Sequence, residues 1–197
     1  MKEIVLIGGP NGAGKTTASR VLLSEFFRLH EFLNADEIAR EIAPENPESA
    51  ALAAGRRMIL EMRDLVRRGE SFGLETTCAG KSYAGLLERC KSDGWRIRLL
   101  FFSLPSPEYA MSRVARRVNQ GGHSIPTLDI RRRFYAGLLN MRNIYLPLAE
   151  DAEIYDNTDG RRILIAEKRA GGSLVVYDPD RWRRIEEIPN EQSTDVL

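Results

Sequence analysis

The chain has 197 residues, a net charge of +1 and a hydrophobic content of 43%. This composition suits one folded domain and excludes a disordered or collagen-like chain. No apolar run approaches the roughly 20 residues of a membrane helix, and the spacing of the two cysteines argues against a zinc site or a disulfide scaffold. We expect a cytoplasmic protein with reduced thiols and no membrane contact.

The basic residues are unevenly distributed along the chain. The near-zero net charge argues against a general nucleic-acid binder. However, the segment from Arg113 to Arg133 contains six arginines and one acidic residue, Asp129, which gives it a charge of +5. Because the planar guanidinium group suits phosphate, this segment predicts an anionic ligand.

Strands alternate with helices through most of the sequence. Apolar runs predict strands at residues 3–7, 30–33, 71–74, 95–104, 152–155, 163–168 and 174–177. Helical periodicity predicts helices at residues 15–29, 36–43, 47–68, 81–91, 107–118 and 126–146. The pattern indicates a single α/β domain over residues 1–188, with helices on both faces of a parallel sheet, a C-terminal β-hairpin and a flexible tail at 189–197.

A glycine-rich motif follows the first predicted strand and opens the first helix. Residues 9–16 (GPNGAGKT) fit the pattern G-x-x-x-x-G-K-[ST] at every fixed position. In such a P-loop, backbone N–H groups surround the phosphates, the lysine reaches the β- and γ-phosphates, and the hydroxyl binds Mg²⁺. The predicted ATP-binding residues are Gly9, Pro10, Asn11, Gly12, Ala13, Gly14, Lys15, Thr16 and Thr17, with Thr16 as the metal ligand.

Features that define several other P-loop classes are missing from the sequence. The most apolar strand, at 95–104, lacks the acidic residue with which motor and transporter ATPases hold Mg²⁺. The chain also has no LSGGQ-like segment and no Asn-Lys-x-Asp motif for guanine. The remaining class is a compact kinase, in which a carboxylate deprotonates an acceptor hydroxyl.

Two carboxylates follow predicted strands, where parallel α/β sheets bind ligands. Asp36 can serve as the general base, as the N-cap of the helix that follows, or as both. Asn34 is a candidate contact to the same substrate. Glu75, followed by two threonines, can orient the acceptor or a Mg²⁺-bound water, or can belong to a turn and helix cap.

The basic segment predicts a mobile lid over residues 113–133. Arg113, Arg116 and Arg117 fall within one helical turn before the glycine-rich residues 119–125 (NQGGHSI). Arginines closing over the triphosphate would neutralise charge on the transferred group. The residues nearest the lid tip are Arg117, His123, Arg132 and Arg133, and His123 can contact a ligand or simply lie exposed.

These segments together resemble the zeta-toxin-like family of P-loop small-molecule kinases. The resemblance rests on GGPNGAGKTT, NADEIA, the ETT segment at 75–77, and RVARRVNQGGHSIPTLDIRRRF, and it extends over residues 2–155. It implies a kinase-like core that uses ATP and Mg²⁺ to phosphorylate the 3′-hydroxyl of UDP-N-acetylglucosamine. An antitoxin protein is a possible partner.

The resemblance also implies roles for individual residues. Lys15 would bind phosphate, Thr16 would hold Mg²⁺ and Asp36 would be the catalytic base. Glu75 and Thr76 would contact the sugar nucleotide. The first basic lid position matches Arg117, and the second falls at or near His123, where toxins carry arginine.

Two alternatives remain open beside a sugar-nucleotide kinase. A kinase of nucleosides or polynucleotide ends would make use of the positive segment and would bind oligonucleotides in a salt-dependent manner. An NTP-dependent switch without an acceptor would hydrolyse ATP slowly, whatever hydroxyl compound is added.

Overall fold

The computed structural model describes residues 1–22, 27, 29–122 and 124–188, and its centre is a seven-stranded sheet. The strands are β1 (Glu3–Gly8), β2 (Glu31–Asn34), β3 (Phe72–Thr76), β4 (Arg96–Ser103), β5 (Asp151–Asp156), β6 (Ile163–Lys168) and β7 (Val175–Val176). They lie in the order β2-β3-β1-β4-β5-β6-β7. All seven predicted strands are present.

The sheet is mixed, because only its first five strands are parallel. β6 pairs with β5 and with β7 in antiparallel fashion, which confirms the C-terminal hairpin. In the parallel part, Gly8 is level with Thr76, and Asn34 is level with Glu75. The carboxyl ends of β1, β2 and β3 therefore meet at one edge of the sheet.

Helices cover both faces of the sheet. They are α1 (Lys15–Val21), α2 (Ala35–Ile42), α3 (Ala51–Arg68), α4 (Ala84–Ser92), α5 (Pro107–Asn119), α6 (Thr127–Asn140), α7 (Leu146–Leu148) and α8 (Pro179–Glu186). Among the helices of the described residues, none is long and apolar enough to cross a membrane.

Two helical predictions differ from the structure in detail, and one helix was not predicted. The helix predicted over 47–68 begins as a 3₁₀ turn, Pro47–Ala50, and becomes α-helical at Ala51. The helix predicted over 126–146 changes after α6 into a π-helix, Met141–Tyr145. Helix α8 was not predicted, although Asp178 accepts a hydrogen bond from the N–H of Arg181 as its N-cap and Pro179 occupies its first turn.

Two predicted segments lie partly or wholly outside the described residues. The first helix was predicted to reach residue 29, but residues 23–26 and 28 are among those not described. The predicted tail at 189–197 and the lid residue His123 are also outside that part of the chain.

The core is formed mainly by the central strands. The four residues Ile4, Val5, Leu6 and Ile7 of β1 are at most 1% exposed, and Phe101 and Phe102 of β4 are completely buried. Continuous burial on both faces is expected where a parallel strand lies between helices. The rigid core therefore positions the loop that leaves β1.

Candidate active site

The phosphate loop connects β1 to α1 and lies against the ends of β4 and β5. Gly9 has a φ of 142°, and a Cβ at this position would collide with the carbonyl oxygen of Phe102. Only glycine fits this combination of backbone angle and close approach. The predicted strand–loop–helix context of the motif is thus present.

Lys15 is buried at the start of α1, with 7% of its surface exposed. Its ammonium group donates a hydrogen bond to the carbonyl oxygen of Pro10 at 3.0 Å and lies 4.0 Å from Oε1 of Glu75. Burial lowers the pKa of Lys15, while the negative charges of Glu75 and Asp36 partly oppose this shift. The phosphate loop thus holds a desolvated ammonium group. An oxygen of a bound phosphate can replace the Pro10 carbonyl as its hydrogen-bond acceptor.

Glu75 links the phosphate loop to β2. The hydroxyl of Thr16 donates to both carboxylate oxygens at 3.0 Å, and Nδ2 of Asn34 donates to Oε2 at 3.1 Å. Burial raises the pKa of Glu75, against the lowering effects of Lys15 and of the Thr16 hydrogen bond. Three predicted site residues from three elements therefore form one hydrogen-bonded cluster.

The interpretation of Asp36 as an N-cap is wrong, because Asn34 caps α2. Oδ1 of Asn34 accepts a hydrogen bond from the N–H of Asp36 at 2.9 Å. Asp36 lies in the first turn of α2 with an exposed side chain. Its charge raises the pKa of both Lys15 and Glu75, so its carboxylate is within electrostatic reach of the buried cluster.

The hydroxyl of Thr76 stabilises the turn after β3. It accepts a hydrogen bond from the N–H of Cys78 at 2.9 Å and is also hydrogen-bonded to the hydroxyl of Tyr83. Asn140 donates from its amide to the carbonyl oxygens of Cys78 and Ala79, each at 3.0 Å. Helix α6 therefore holds the turn that follows Glu75.

Both cysteines are free and buried. Cys78 lies beneath the phosphate loop, since a Cβ on Gly8 would be 2.8 Å from its sulfur. Burial raises the pKa of Cys78 to about 12. A thiol with this pKa is a poor nucleophile at neutral pH, so Cys78 serves as a packing residue.

The predicted lid arginines occupy different environments. Arg117, near the end of α5, lowers the pKa of Lys15 through its charge, which places it within electrostatic reach of the phosphate loop. Arg132 forms an ion pair with Asp129 at 2.8 Å within α6. Arg133 is half-buried on the same helix, and its charge contributes to lowering the pKa of Asp129.

Sequence reasoning missed one contact to the phosphate loop and one contact that supports it from α5. Asn157 donates from Nδ2 to the carbonyl oxygen of Ala13 at 2.7 Å, and Nη1 of Arg113 donates to the carbonyl oxygen of Asn157 at 2.7 Å. Arg113 was noted only as part of the basic segment. Asn157 had no sequence signal beyond its place after a predicted strand.

Comparison with known proteins assigns the chain to a family. The sequence profile of the AAA domain family matches residues 4–133, which include the phosphate loop, both carboxylates and the lid arginines. The chain belongs to the AAA domain family. An uncharacterised protein of Haemophilus influenzae is 29% identical to this AAA domain protein over 126 residues, which are 64% of this chain and 88% of the relative.

Solved structures share the fold of this AAA domain protein. A chain from the PezAT chromosomal toxin–antitoxin system of Streptococcus pneumoniae aligns with a TM-score of 0.58 and 19% identity, over 83% of this chain and 71% of that one. A chain of the AvrRxo1-ORF1:-ORF2 complex with ATP aligns with a TM-score of 0.73 and 16% identity, over 99% of this chain and 66% of that one. At these identities the likeness shows the fold alone.

The AAA domain fold of this chain implies nucleotide binding. Mg²⁺ is a hard cation that prefers oxygen ligands and usually binds through one or two protein oxygens together with substrate phosphates. The Thr16 hydroxyl and the Glu75 carboxylate offer such oxygens next to the phosphate loop. The residues present therefore fit a magnesium ion bound together with a nucleotide.

Proposed function

We propose that this protein transfers the γ-phosphoryl group of ATP to a hydroxyl group of a small molecule. The observation that carries the proposal is the cluster of Lys15, Thr16 and Glu75, with the charge of Asp36 within reach, at one edge of the sheet. Such an edge combines an anion-binding loop with carboxylates that can accept the proton of a hydroxyl group.

Lys15 and the loop amides bind the β- and γ-phosphates in this proposal. The Lys15 ammonium group donates a hydrogen bond to the neutral carbonyl of Pro10 at 3.0 Å. Exchange of this carbonyl for a phosphate oxygen gains a charge-assisted hydrogen bond. Arg117 adds positive charge as the group transfers. Mg²⁺, held by Thr16, neutralises negative charge on the phosphates when it is bound.

Asp36 accepts the proton of the acceptor hydroxyl. Its exposed position in the first turn of α2 leaves the carboxylate open to a substrate that approaches the carboxyl ends of the strands. The Asn34 side chain caps α2 through the N–H of Asp36 and donates a hydrogen bond to Glu75. It therefore orients the start of α2 and the Glu75 carboxylate. We propose that Glu75 and Thr76, together with Arg132 and Arg133, contact the acceptor.

The acceptor that we propose is a sugar nucleotide such as UDP-N-acetylglucosamine. The support is the resemblance of four sequence segments to zeta-toxin-like kinases and the shared fold with a chain of a toxin–antitoxin system. An antitoxin partner, a cytoplasmic location and a single domain over residues 1–188, with a lid at 113–133 and His123 at its tip, are parts of the same proposal.

Nucleic acid is not the preferred acceptor. The charge of Asp129, which is paired with Arg132 at 2.8 Å, is already included in the +5 of the positive segment. Arg131 is paired at 2.6 Å with Glu108, which lies outside the segment and neutralises one further charge. The charge available to a polyphosphate backbone is correspondingly smaller.

The test is incubation of the pure protein with γ-labelled ATP, Mg²⁺ and a panel of sugar nucleotides, nucleosides and oligonucleotides. We expect label to move to UDP-N-acetylglucosamine or a related sugar nucleotide. Transfer of label to an oligonucleotide or a nucleoside would contradict the sugar-nucleotide acceptor and identify that compound as the acceptor class. Slow release of phosphate that no panel compound changes would contradict the kinase proposal and favour an NTP-dependent switch.

A further inference from the structure

Asn157 is a buried asparagine directly after β5 that contacts the phosphate loop. The residue is 7% exposed, and its side-chain amide donates to the carbonyl oxygen of Ala13 at 2.7 Å. The two residues are 144 positions apart in the sequence. The contact therefore joins the phosphate loop to the far side of the parallel sheet.

The backbone of Asn157 is fixed on both sides. Its N–H donates to the carbonyl oxygen of Ser103 at the end of β4, at 3.0 Å. Its carbonyl oxygen accepts from Nη1 of Arg113 on α5, at 2.7 Å. Because both backbone groups are bonded to neighbouring elements, the side-chain amide is a donor held in a fixed place.

Asn157 also packs directly against Gly14. Gly14 has a φ of 83°, and a Cβ there would lie 2.9 Å from Nδ2 of Asn157. The asparagine therefore occupies the space that any larger residue at position 14 would need.

The geometry of a peptide unit gives this contact a consequence for ligand binding. In a trans peptide, the carbonyl and the N–H of the same unit point in opposite directions. A donor that holds the Ala13 carbonyl toward β5 thereby turns the Gly14 N–H away from β5. In P-loops, inward-pointing N–H groups are the ligands of phosphate oxygens.

We propose that Asn157 is a positioning residue for the phosphate loop, which orients the Gly14 N–H toward the polyphosphate of a bound nucleotide. The inference rests on the proposed ATP-dependent function. Asn157 acts on the phosphate loop and not on the adenine base, so its loss should weaken the binding of ADP and the binding of ATP by the same factor. A purely structural role would lower stability and leave the nucleotide affinity of the folded protein unchanged.

The test compares Asn157→Ala and Asn157→Asp with a control that loosens the same turn. Tyr109 bonds to both the side chain and the N–H of Asp159, at 2.8 and 2.9 Å, so Tyr109→Phe weakens the turn after β5 without touching Ala13. Titration calorimetry with Mg-ADP and Mg-ATP would be combined with thermal melts. If the alanine variant fails to fold, Asn157→Asp serves in its place, since it keeps the side chain's size and lacks the donor.

We expect both nucleotides to lose about 10-fold in affinity in the Asn157 variants, the effect of one lost hydrogen bond to a charged group. Tyr109→Phe should stay within about 2-fold of wild type. In ¹⁵N-glycine-labelled protein, the Gly14 amide signal should move when ADP is added to wild type and move less in Asn157→Ala.

A folded Asn157 variant that binds ADP as wild type does would overturn this inference alone. An equal loss in Tyr109→Phe would overturn it as well, because the effect would then belong to the turn. Wild-type protein that binds neither nucleotide would instead overturn the proposed function together with the inference.

Discussion

Lys15 and Glu75 carry opposite charges in a buried setting, and burial shifts both pKa values toward the neutral forms. The pair lies at 4.0 Å, which is longer than a tight ion pair. At this distance the ion pair is weak, so the Lys15 ammonium group can still gain a closer interaction with a bound anion. We therefore expect Lys15 to contribute more to nucleotide binding than to the stability of the fold.

Lys15→Ala should weaken Mg-ADP and Mg-ATP binding by about 10- to 100-fold, because a charge-assisted hydrogen bond contributes about 1.5–3 kcal/mol. The fold should persist, since the variant removes a desolvated cation. Calorimetry and far-UV circular dichroism would measure the two effects. Lys91→Ala is the matched control, because Lys91 also donates to a proline carbonyl, that of Pro147 at 3.2 Å, away from the site. Unchanged affinity in Lys15→Ala would contradict the phosphate-loop assignment.

Glu75 should make stability depend on pH. Its folded-state pKa is raised above the unfolded value, so the folded protein binds the extra proton in the window just above the ordinary carboxylate pKa. The free energy of unfolding contributed by this residue falls as pH rises through that window. We expect the stability difference between Glu75→Gln and wild type to shift in favour of Glu75→Gln as pH rises and then level off. Urea melts between pH 5 and pH 8 would measure it, and a pH-independent difference would argue against the raised pKa.

At the scale of elements, α6 holds the turn after β3. A Cβ on Gly137 would collide with the carbonyl oxygen of Thr77, so the helix backbone packs directly on the turn. Asn140, one helical turn later, bonds to the same turn. The turn includes Cys78 at a φ of 58°, an unusual angle for a residue other than glycine.

Gly137→Ala should destabilise the protein by about 1–3 kcal/mol, because neither backbone can give way easily. Gly55→Ala on α3 is the matched control, since nothing lies within 4 Å of a Cβ at that position. Alanine there should stabilise the helix by about 0.5–1 kcal/mol. Denaturant melts of both variants check the prediction, and equal effects at both positions would contradict it.

The elements that sequence patterns predicted well are those with local signals. The apolar run of β4 predicts the strand, and Gly69, with a φ of 72°, marks the end of α3. The 3₁₀ start of α3 and the π-helix after α6 have no such signal, because they depend on how the helices meet their neighbours. Helix α8 did have a signal in Asp178 and Pro179, an N-cap followed by proline, which could have revealed it.

The same division applies to the site. The phosphate loop could be recognised from spacing, and strand ends indicated Asp36 and Glu75. The capping role of Asn34 depends on the backbone angles at the start of α2, which the sequence alone does not specify. Asn157 contacts the loop, and Arg113 contacts Asn157, only after β4, β5 and α5 have assembled around β1, so these contacts could not be predicted from the sequence.

For the molecule as a whole, nucleotide binding should appear as a gain in global stability. A ligand that binds only the folded state stabilises it by about 2.7 kcal/mol at a concentration 100 times its Kd. Mg-ADP should therefore raise the melting temperature of wild type and raise that of Lys15→Ala by half as much or less at the same concentration. Equal rises in both proteins, measured by calorimetric scans, would show that the nucleotide binds elsewhere.

The most direct test of the central claim is the rate of phosphoryl transfer in Asp36→Asn, with the acceptor that the panel identifies. Since Asn34 caps α2, the variant should keep its melting temperature, and its ATP affinity should be nearly unchanged. Asp180→Asn, in the first turn of α8, controls for loss of a first-turn aspartate. We expect transfer to fall by about 10²- to 10⁴-fold in Asp36→Asn, the usual effect of losing a general base, and to stay normal in Asp180→Asn. Wild-type transfer by Asp36→Asn would contradict the account.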